Sequence, residues 1–352
     1  MVRLPLFLLL ASLWLGAFSA VVNMPGGLSR RHPLPSSFEW TSTDILIAPK
    51  DDSRKLAGVK DPSVVYFEGQ WHIFATTAKG GSWNLFYTNF TDWSIANDAE
   101  FFYLDQSPIG RGYRAAPQVF YFEPQKLWYL VYQNGNAAYS TNPDISNPAG
   151  WTAPKTFYSG MPKIVEENIG KGNWLDMWVI CDSENCHLFS SDDNGQLYRS
   201  QTPVSDFPEG FDEPVIALQD SNRFRLFEGS NVYKLGDKEE DGYLLIVEAI
   251  GADGRRWFRS WTMSAIEGPY TPLAAEEENP FARSNNVAFE GKAWSKDISH
   301  GEMIRSGYDQ YLKVNPAKFQ YLYQGQDPED GAGVPYGDLP WRIALLTQTN
   351  TA

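Results

Sequence analysis

Cysteine is nearly absent from this 352-residue chain, which has only Cys181 and Cys186, and their spacing is not a zinc signature. Basic charge is also scarce, with 29 Lys and Arg against 43 Asp and Glu and a formal net charge of −14. That balance argues against a polyanionic partner such as nucleic acid, whereas a neutral polymer is not repelled. Beyond residue 20 no stretch approaches eighteen uninterrupted apolar residues, so nothing there reads as a membrane-spanning helix. No Gly-x-Gly-x-x-Gly runs from a strand into a helix, and Gly251-Ala252-Asp253-Gly254 reads as a hairpin turn rather than a phosphate loop. Long helical periodicity is scarce as well.

What is present is core-forming material: 43% of residues are hydrophobic and 15% aromatic, which excludes global disorder and suffices for a large all-β domain. Residues 1–20 carry a basic Arg3, an apolar run and the small-residue end Ala17-Phe18-Ser19-Ala20, the pattern of a secretory signal peptide cleaved after Ala20. Loss of Arg3 takes the net charge to −15. Residues 21–36 read as a leader, with Arg30-Arg31 as a candidate processing site. A secreted, extracellular, monomeric protein without membrane or nucleic-acid partners is expected. In an oxidising compartment Cys181 and Cys186 are expected to form a hairpin-tip disulfide, and Asn89-Phe90-Thr91 is a glycosylation sequon.

Short runs rich in Val, Tyr, Phe, Trp and Ile recur with turn residues between them. Residues 64–67 and 71–75 flank Glu68-Gly69-Gln70; 119–122 pairs with 128–132; 187–190 and 196–199 flank Asp192-Asp193-Asn194-Gly195. These are hairpin signals. A longer period lies above them: Phe86-Tyr87-Thr88, Ala138-Tyr139-Ser140, Tyr198-Arg199-Ser200 and Phe258-Arg259-Ser260 end 52, 60 and 60 residues apart. A strand-only repeat of that length predicts a β-propeller with four-stranded blades. The sequence from Ala293 onward supplies about one more blade, giving a single five-bladed domain over residues 37–349. Its innermost strands are expected to begin near Asp61, Ala116, Asp176, Glu228 and His300, facing one another across a central channel with Arg114 close by.

Asp61, Asp176 and Glu228 each sit in or beside an apolar, strand-forming stretch, where acids are depleted. An acid opening a strand can simply accept N–H bonds in a turn. Three acids converging on one axis also suit glycoside hydrolysis, in which one carboxylate activates water and another, protonated, serves the leaving oxygen. A third carboxylate that raises the pKa of the donor is a useful companion.

The stretches Lys60-Asp61-Pro62, Gly112-Tyr113-Arg114-Ala115-Ala116-Pro117-Gln118-Val119, Trp178-Val179-Ile180-Cys181-Asp182, Leu226-Phe227-Glu228-Gly229 and Ser299-His300-Gly301-Glu302-Met303-Ile304-Arg305 occur in this order. Through them the mature chain resembles glycoside hydrolase family 62, the α-L-arabinofuranosidases that remove arabinose side groups from arabinoxylan. The resemblance implies a five-bladed propeller and single-displacement hydrolysis with inversion. It implies Asp61 as general base, Glu228 as general acid and Asp176 as the acid that tunes and orients Glu228. Asp182, six residues on, is the alternative to Asp176, which is preferred because it heads its strand. The resemblance further implies a calcium ion near the channel held by His300 and water, although calcium prefers oxygen ligands.

Four residues complete the expected site. Lys60 precedes the proposed base and is placed to bind a sugar hydroxyl, or is a solvated lysine. Trp83, after Gly80-Gly81-Ser82, is a candidate stacking platform, although most of the 13 tryptophans must pack the blades. Tyr336 lies in a Gly/Pro-rich loop where the resemblance implies a substrate-facing tyrosine, or is an ordinary turn residue. Asn134, before Gly135, either lines the xylan groove or forms an ordinary turn. The competing readings are another five-bladed glycosidase, such as a β-xylosidase or arabinanase, and a propeller lectin that binds sugar without cleaving it.

Overall fold

The computed structural model describes residues 34–327 and 329–351; the signal-peptide reading and the Arg30-Arg31 site fall outside the described residues. Tight turns begin the architecture. Glu68-Gly69 and Gly80-Gly81 both take positive φ at both positions, the backbone of a two-residue turn whose twist matches that of its flanking strands. They link Gly58–Phe67, Gln70–Lys79 and Ser82–Phe90, and Phe102–Tyr103 completes blade I. Blade II is Ala115–Phe122, Leu127–Gln133, Ala137–Asn142 and Lys155–Thr156. Blade III is Leu175–Cys181, Asn185–Ser191, Gln196–Pro203 and Val215–Gln219. Blade IV is Glu228–Leu235, Tyr243–Ile250, Arg256–Met263 and Thr271–Pro272, with Lys313–Val314 added parallel to Glu228–Leu235. The four sequence triplets spaced 52 to 60 residues apart all fall on the third strand of a blade.

Blade V corrects one expectation. Its inner strands, Ser299–Met303, Gln320–Gly325 and Arg342–Gln348, do come from the sequence after Ala293. Its next strand is Trp40–Ser42 from the other end of the chain, antiparallel to Arg342–Gln348 with Trp40 opposite Gln348. Val287–Phe289 lies parallel on the outside. The ring is thus closed within blade V, where an early strand pairs with the last one.

The five innermost strands touch one another in a closed cycle around the axis. Aromatic rings pack the wedges between blades: Phe67 meets Trp128 edge-on at 5.1 Å, Trp178 meets Tyr233 at 5.4 Å and Phe258 meets Tyr321 at 5.3 Å. Cys181 and Cys186 are paired opposite each other at the tip of the first hairpin of blade III and form the expected disulfide. Asn89 lies not in a loop but in the strand Ser82–Phe90, half-buried, with its amide donating to Gln70. Among the described residues no helix is long and apolar enough to cross a membrane.

One feature of the inner strands positions everything that follows. Each has a bulge at its head, where pairing with the second strand skips from Lys60 to Ser63, Ala115 to Gln118, Leu175 to Trp178, Glu228 to Asn231 and Ser299 to Gly301. Bulges of this kind re-aim side chains. The first bulged residue of blades I to IV is Asp61, Ala116, Asp176 and Gly229, all left-handed, with φ of 51°, 51°, 55° and 64°. Such a backbone costs a non-glycine residue on the order of 1–3 kcal/mol and clusters at functional sites.

Candidate active site

The bulges turn the heads of blades I, III and V toward one point. His300 Nδ1 lies 3.6 Å from Asp61 Oδ1 and 3.6 Å from Asp176 Oδ2. Both acids are almost wholly buried, at 4% and 7% exposure. Glu228 does not occupy the equivalent bulge position; it comes one residue earlier, and Gly229 takes the left-handed place. A Cβ on Gly229 would lie 3.5 Å from the His300 ring and 3.4 Å from Glu248 Cβ, so the backbone runs close against both. The Gly229 N–H donates to Asp176 Oδ2 at 2.8 Å, which ties the third blade's acid to the residue beside Glu228.

Burial pushes the Asp176 carboxyl well above the usual range, and the charges of Glu228 and Asp61 push it further. Burial alone would lower Lys60, but Asp61, Tyr336 and Glu228 outweigh it and hold the ammonium above its ordinary value. Lys60 Nζ is 3.5 Å from Asp61 Oδ1 and donates to the Tyr336 hydroxyl at 3.3 Å. Tyr336 is carried by a loop pinned to blade I: Gly80 N donates to Asp338 at 2.6 Å, and a Cβ on Gly337 would fall 2.3 Å from Gly81 N. Lys60, Asp61, Asp176, Glu228, His300 and Tyr336 are therefore brought together.

Trp83 lies on the blade I side, 6.0 Å edge-on from Tyr113, and both line an open cavity of about 560 Å³ with Arg54, Arg111 and Asp105. Asn134 sits just beyond the second strand of blade II, where its side-chain oxygen accepts from Asn136 N at 3.2 Å and closes its own turn. Arg114 spends its guanidinium on the carbonyls of Tyr113 and Ile109, in the loop that leads into blade II. Asp182 lies at the far end of the strand that Asp176 heads, beside the disulfide.

Several residues at the site escaped sequence reading. Arg256 Nη1 donates to Glu228 Oε1 at 2.6 Å and also to Glu248 Oε1. Glu248 is fully buried directly opposite Glu228 in the blade IV pairing, and burial pushes it up to about 7 against the lowering pull of Arg256. Gln133 accepts from Asp176 N at 2.6 Å and donates to the Tyr113 hydroxyl, while Gln324 accepts from Asp61 N at 2.5 Å. Burial raises Tyr113 to about 12, with Asp176 and Asp61 adding to it.

Calcium takes six to eight oxygen ligands. The His300 ring offers one nitrogen, Asp61 and Asp176 lie 3.6 Å from it and Glu248 is engaged by His300 N, so these side chains do not form the oxygen cage of a dedicated calcium site. Among the described residues, the three His or acid side chains whose ligand atoms gather within 4.8 Å are instead Asp182, His187 and Glu267, at the disulfide hairpin.

The structure is thus a five-bladed propeller whose inner strand heads gather two buried acids and a histidine, with a third acid on an arginine beside them, an arrangement suited to paired-carboxylate chemistry. The chain belongs to glycosyl hydrolase family 62, whose model matches residues 39–347. It is 40% identical over 316 residues to α-L-arabinofuranosidase C of Cellvibrio japonicus, a match covering 89% of this chain and 47% of that protein. The chain thus spans about half the length of that curated relative. Among solved structures it is similar to the catalytic domain of a family 62 α-L-arabinofuranosidase from Coprinopsis cinerea, at 67% identity and a TM-score of 0.88, covering 91% of this chain and 99% of that one. It is also similar to a family 62 hydrolase solved with xylotriose, at 57% identity and a TM-score of 0.86, covering 89% and 98%.

Proposed function

We propose that this protein is a secreted α-L-arabinofuranosidase that removes arabinose side groups from arabinoxylan with inversion. Asp61 is the general base, Glu228 the general acid, and Asp176 the acid that holds and tunes Glu228's strand. The observation that carries the reading is the gathering of Asp61 and Asp176 about His300 Nδ1, with Asp176 bound to the N–H next to Glu228. Family membership and the names of the relatives support the sugar. The xylotriose bound to one of them supports the polymer that carries it.

In this reading Asp61 takes a proton from water as its oxygen attacks the anomeric carbon, the glycosidic C–O bond breaks, and Glu228 gives its proton to the departing xylose oxygen. Lys60 sets its positive charge 3.5 Å from Asp61 Oδ1 and, with Tyr336, faces the sugar hydroxyls. Asp176, bonded to Gly229 N–H, fixes where Glu228 enters its strand. Trp83 and Tyr113 on the blade I side and Asn134 at the blade II rim are assigned to the xylan backbone. No step runs through calcium.

The test is arabinose release from wheat arabinoxylan, with the new anomer followed by NMR, for the wild type and Glu228→Gln. Initial β-arabinose that disappears in the variant supports the reading. Initial α-arabinose overturns inversion, and xylose, oligosaccharides or no product overturns the activity.

A further inference from the structure

Glu248 has no place in the three-acid scheme, yet it touches more of the site's framework than any of the three. It lies on the second strand of blade IV within Leu244-Leu245-Ile246-Val247-Glu248-Ala249-Ile250, an otherwise apolar run, and is fully buried. A carboxylate there is costly unless every oxygen is satisfied. Both are. One oxygen accepts from Arg256 Nη1, the same nitrogen that donates to Glu228 at 2.6 Å. The other accepts from the Ser299 hydroxyl at 2.9 Å and from His300 N at 2.7 Å. The His300 ring in turn stands 3.6 Å from both Asp61 and Asp176. Arg256 is fixed further by stacking over the Phe227 ring at 4.9 Å, and Phe227 N donates to the Glu248 carbonyl.

We propose that Glu248 is a positioning residue for the general acid: it shares Arg256 with Glu228 and, through the other oxygen, fixes the backbone of His300, whose ring stands 3.6 Å from both remaining acids. One buried side chain thereby joins the donor side of the site to the base side. With Glu248 in place its two oxygens tie Arg256 to Ser299 and His300; in a glutamine one of them becomes an NH2 group, so either the tie to Arg256 or the tie to Ser299 and His300 is lost. This inference rests on Glu228 being that acid.

The experiment compares kcat on arabinoxylan, whose xylose leaving group needs a proton, with kcat on 4-nitrophenyl α-L-arabinofuranoside, whose leaving group does not. Glu228→Gln serves as the control. For Glu248→Gln the expected result is at least a ~10-fold loss of kcat on arabinoxylan, within the range of acid–base contributions, with a much smaller loss on the aryl substrate and little change in KM. Arg256→Lys, which keeps the charge but is shorter and lacks the planar guanidinium held over the Phe227 ring, should show the same pattern and stands in should Glu248→Gln fail to fold. Equal losses on both substrates, or none, overturn the proposal. If Glu228→Gln itself shows no dependence on leaving group, the general-acid reading falls and this proposal with it. If Glu228→Gln shows that dependence and the other two variants do not, only the role of Glu248 falls.

Discussion

The heads of blades I, II, III and V differ from the head of blade IV in what holds them. In the four, the first bulged N–H donates to a side chain on the second strand of the preceding blade: Asp61 N to Gln324 at 2.5 Å, Ala116 N to Thr76 at 2.9 Å, Asp176 N to Gln133 at 2.6 Å and His300 N to Glu248 at 2.7 Å. The acceptor is always the residue paired with the last one before the bulge, so the contact repeats around the ring. In blade III that position is Ser191, opposite Leu175. The Ser191 hydroxyl is buried and has no hydrogen-bond partner among the described residues. Gly229 N–H turns instead to Asp176 Oδ2 on the inner strand. Four heads are therefore latched by framework residues and one by a candidate catalytic residue, and it is the one next to Glu228. A short side chain at position 191 leaves the job to Asp176, so the fold of blade IV and the placing of the general acid depend on the same carboxylate.

Removing that carboxylate should break the comparison most severely. Asp176→Ala leaves a buried Gly229 N–H without an acceptor, at a cost of ~1–3 kcal/mol, and should lower kcat on arabinoxylan by ~100-fold or more. Chemical denaturation and initial rates measure the two effects separately. A variant that loses activity with no loss of stability would show that Asp176 does not latch blade IV.

Asp176→Asn sharpens the same point, because the amide oxygen still accepts from Gly229 while the charge is gone. Burial, then Glu228 and Asp61, hold Asp176 well above its ordinary value. A carboxyl raised on folding contributes stability that is fully present below its unfolded value of 3.8 and is lost as pH rises through the folded value. The Asn variant has no such loss, so its melting temperature should gain on the wild type as pH climbs above 3.8, although its activity is poor. A difference in melting temperature that stays flat with pH would remove the raised carboxyl from the account.

A head without an acid is the counterpart. Thr76→Val keeps the shape of the side chain and deletes the acceptor of Ala116 N–H, so a stability loss of ~1–3 kcal/mol is expected with arabinose release unchanged. If activity falls along with stability, the ring of latches is not separable from the site.

The same contrast explains what could be read from sequence. The hairpins, the repeat and the heads of the inner strands were legible because each rests on local pattern: Glu68-Gly69 twists its turn, and acids stand out inside strand-forming runs. Glu248 obeys the very rule that singled out Asp61, Asp176 and Glu228, since it interrupts the apolar run 243–250, although it lies on a second strand rather than at a strand head. Trp40–Ser42 was hidden because three residues carry no periodicity, and its role comes from a partner at the other end of the chain. Lys60 and Tyr336 meet across 276 positions, a contact that only ring closure creates. The one-residue offset that places Gly229 rather than Glu228 in the left-handed position was written in the glycine, which adopts that backbone without a Cβ to strain.

Ser191→Ala is the smallest change and the most direct check on why blade IV differs. If the hydroxyl at 191 were the latch for Gly229, deleting it should cost about as much as Thr76→Val. Because it has no partner and is buried, deleting it removes an unsatisfied polar group and should leave stability equal or slightly higher, within ~1 kcal/mol, with activity untouched. Melting temperatures of the two variants measured side by side decide the matter. A loss at Ser191 matching that at Thr76 would mean that blade IV is latched like the others and that Asp176 is free of the structural duty assigned to it.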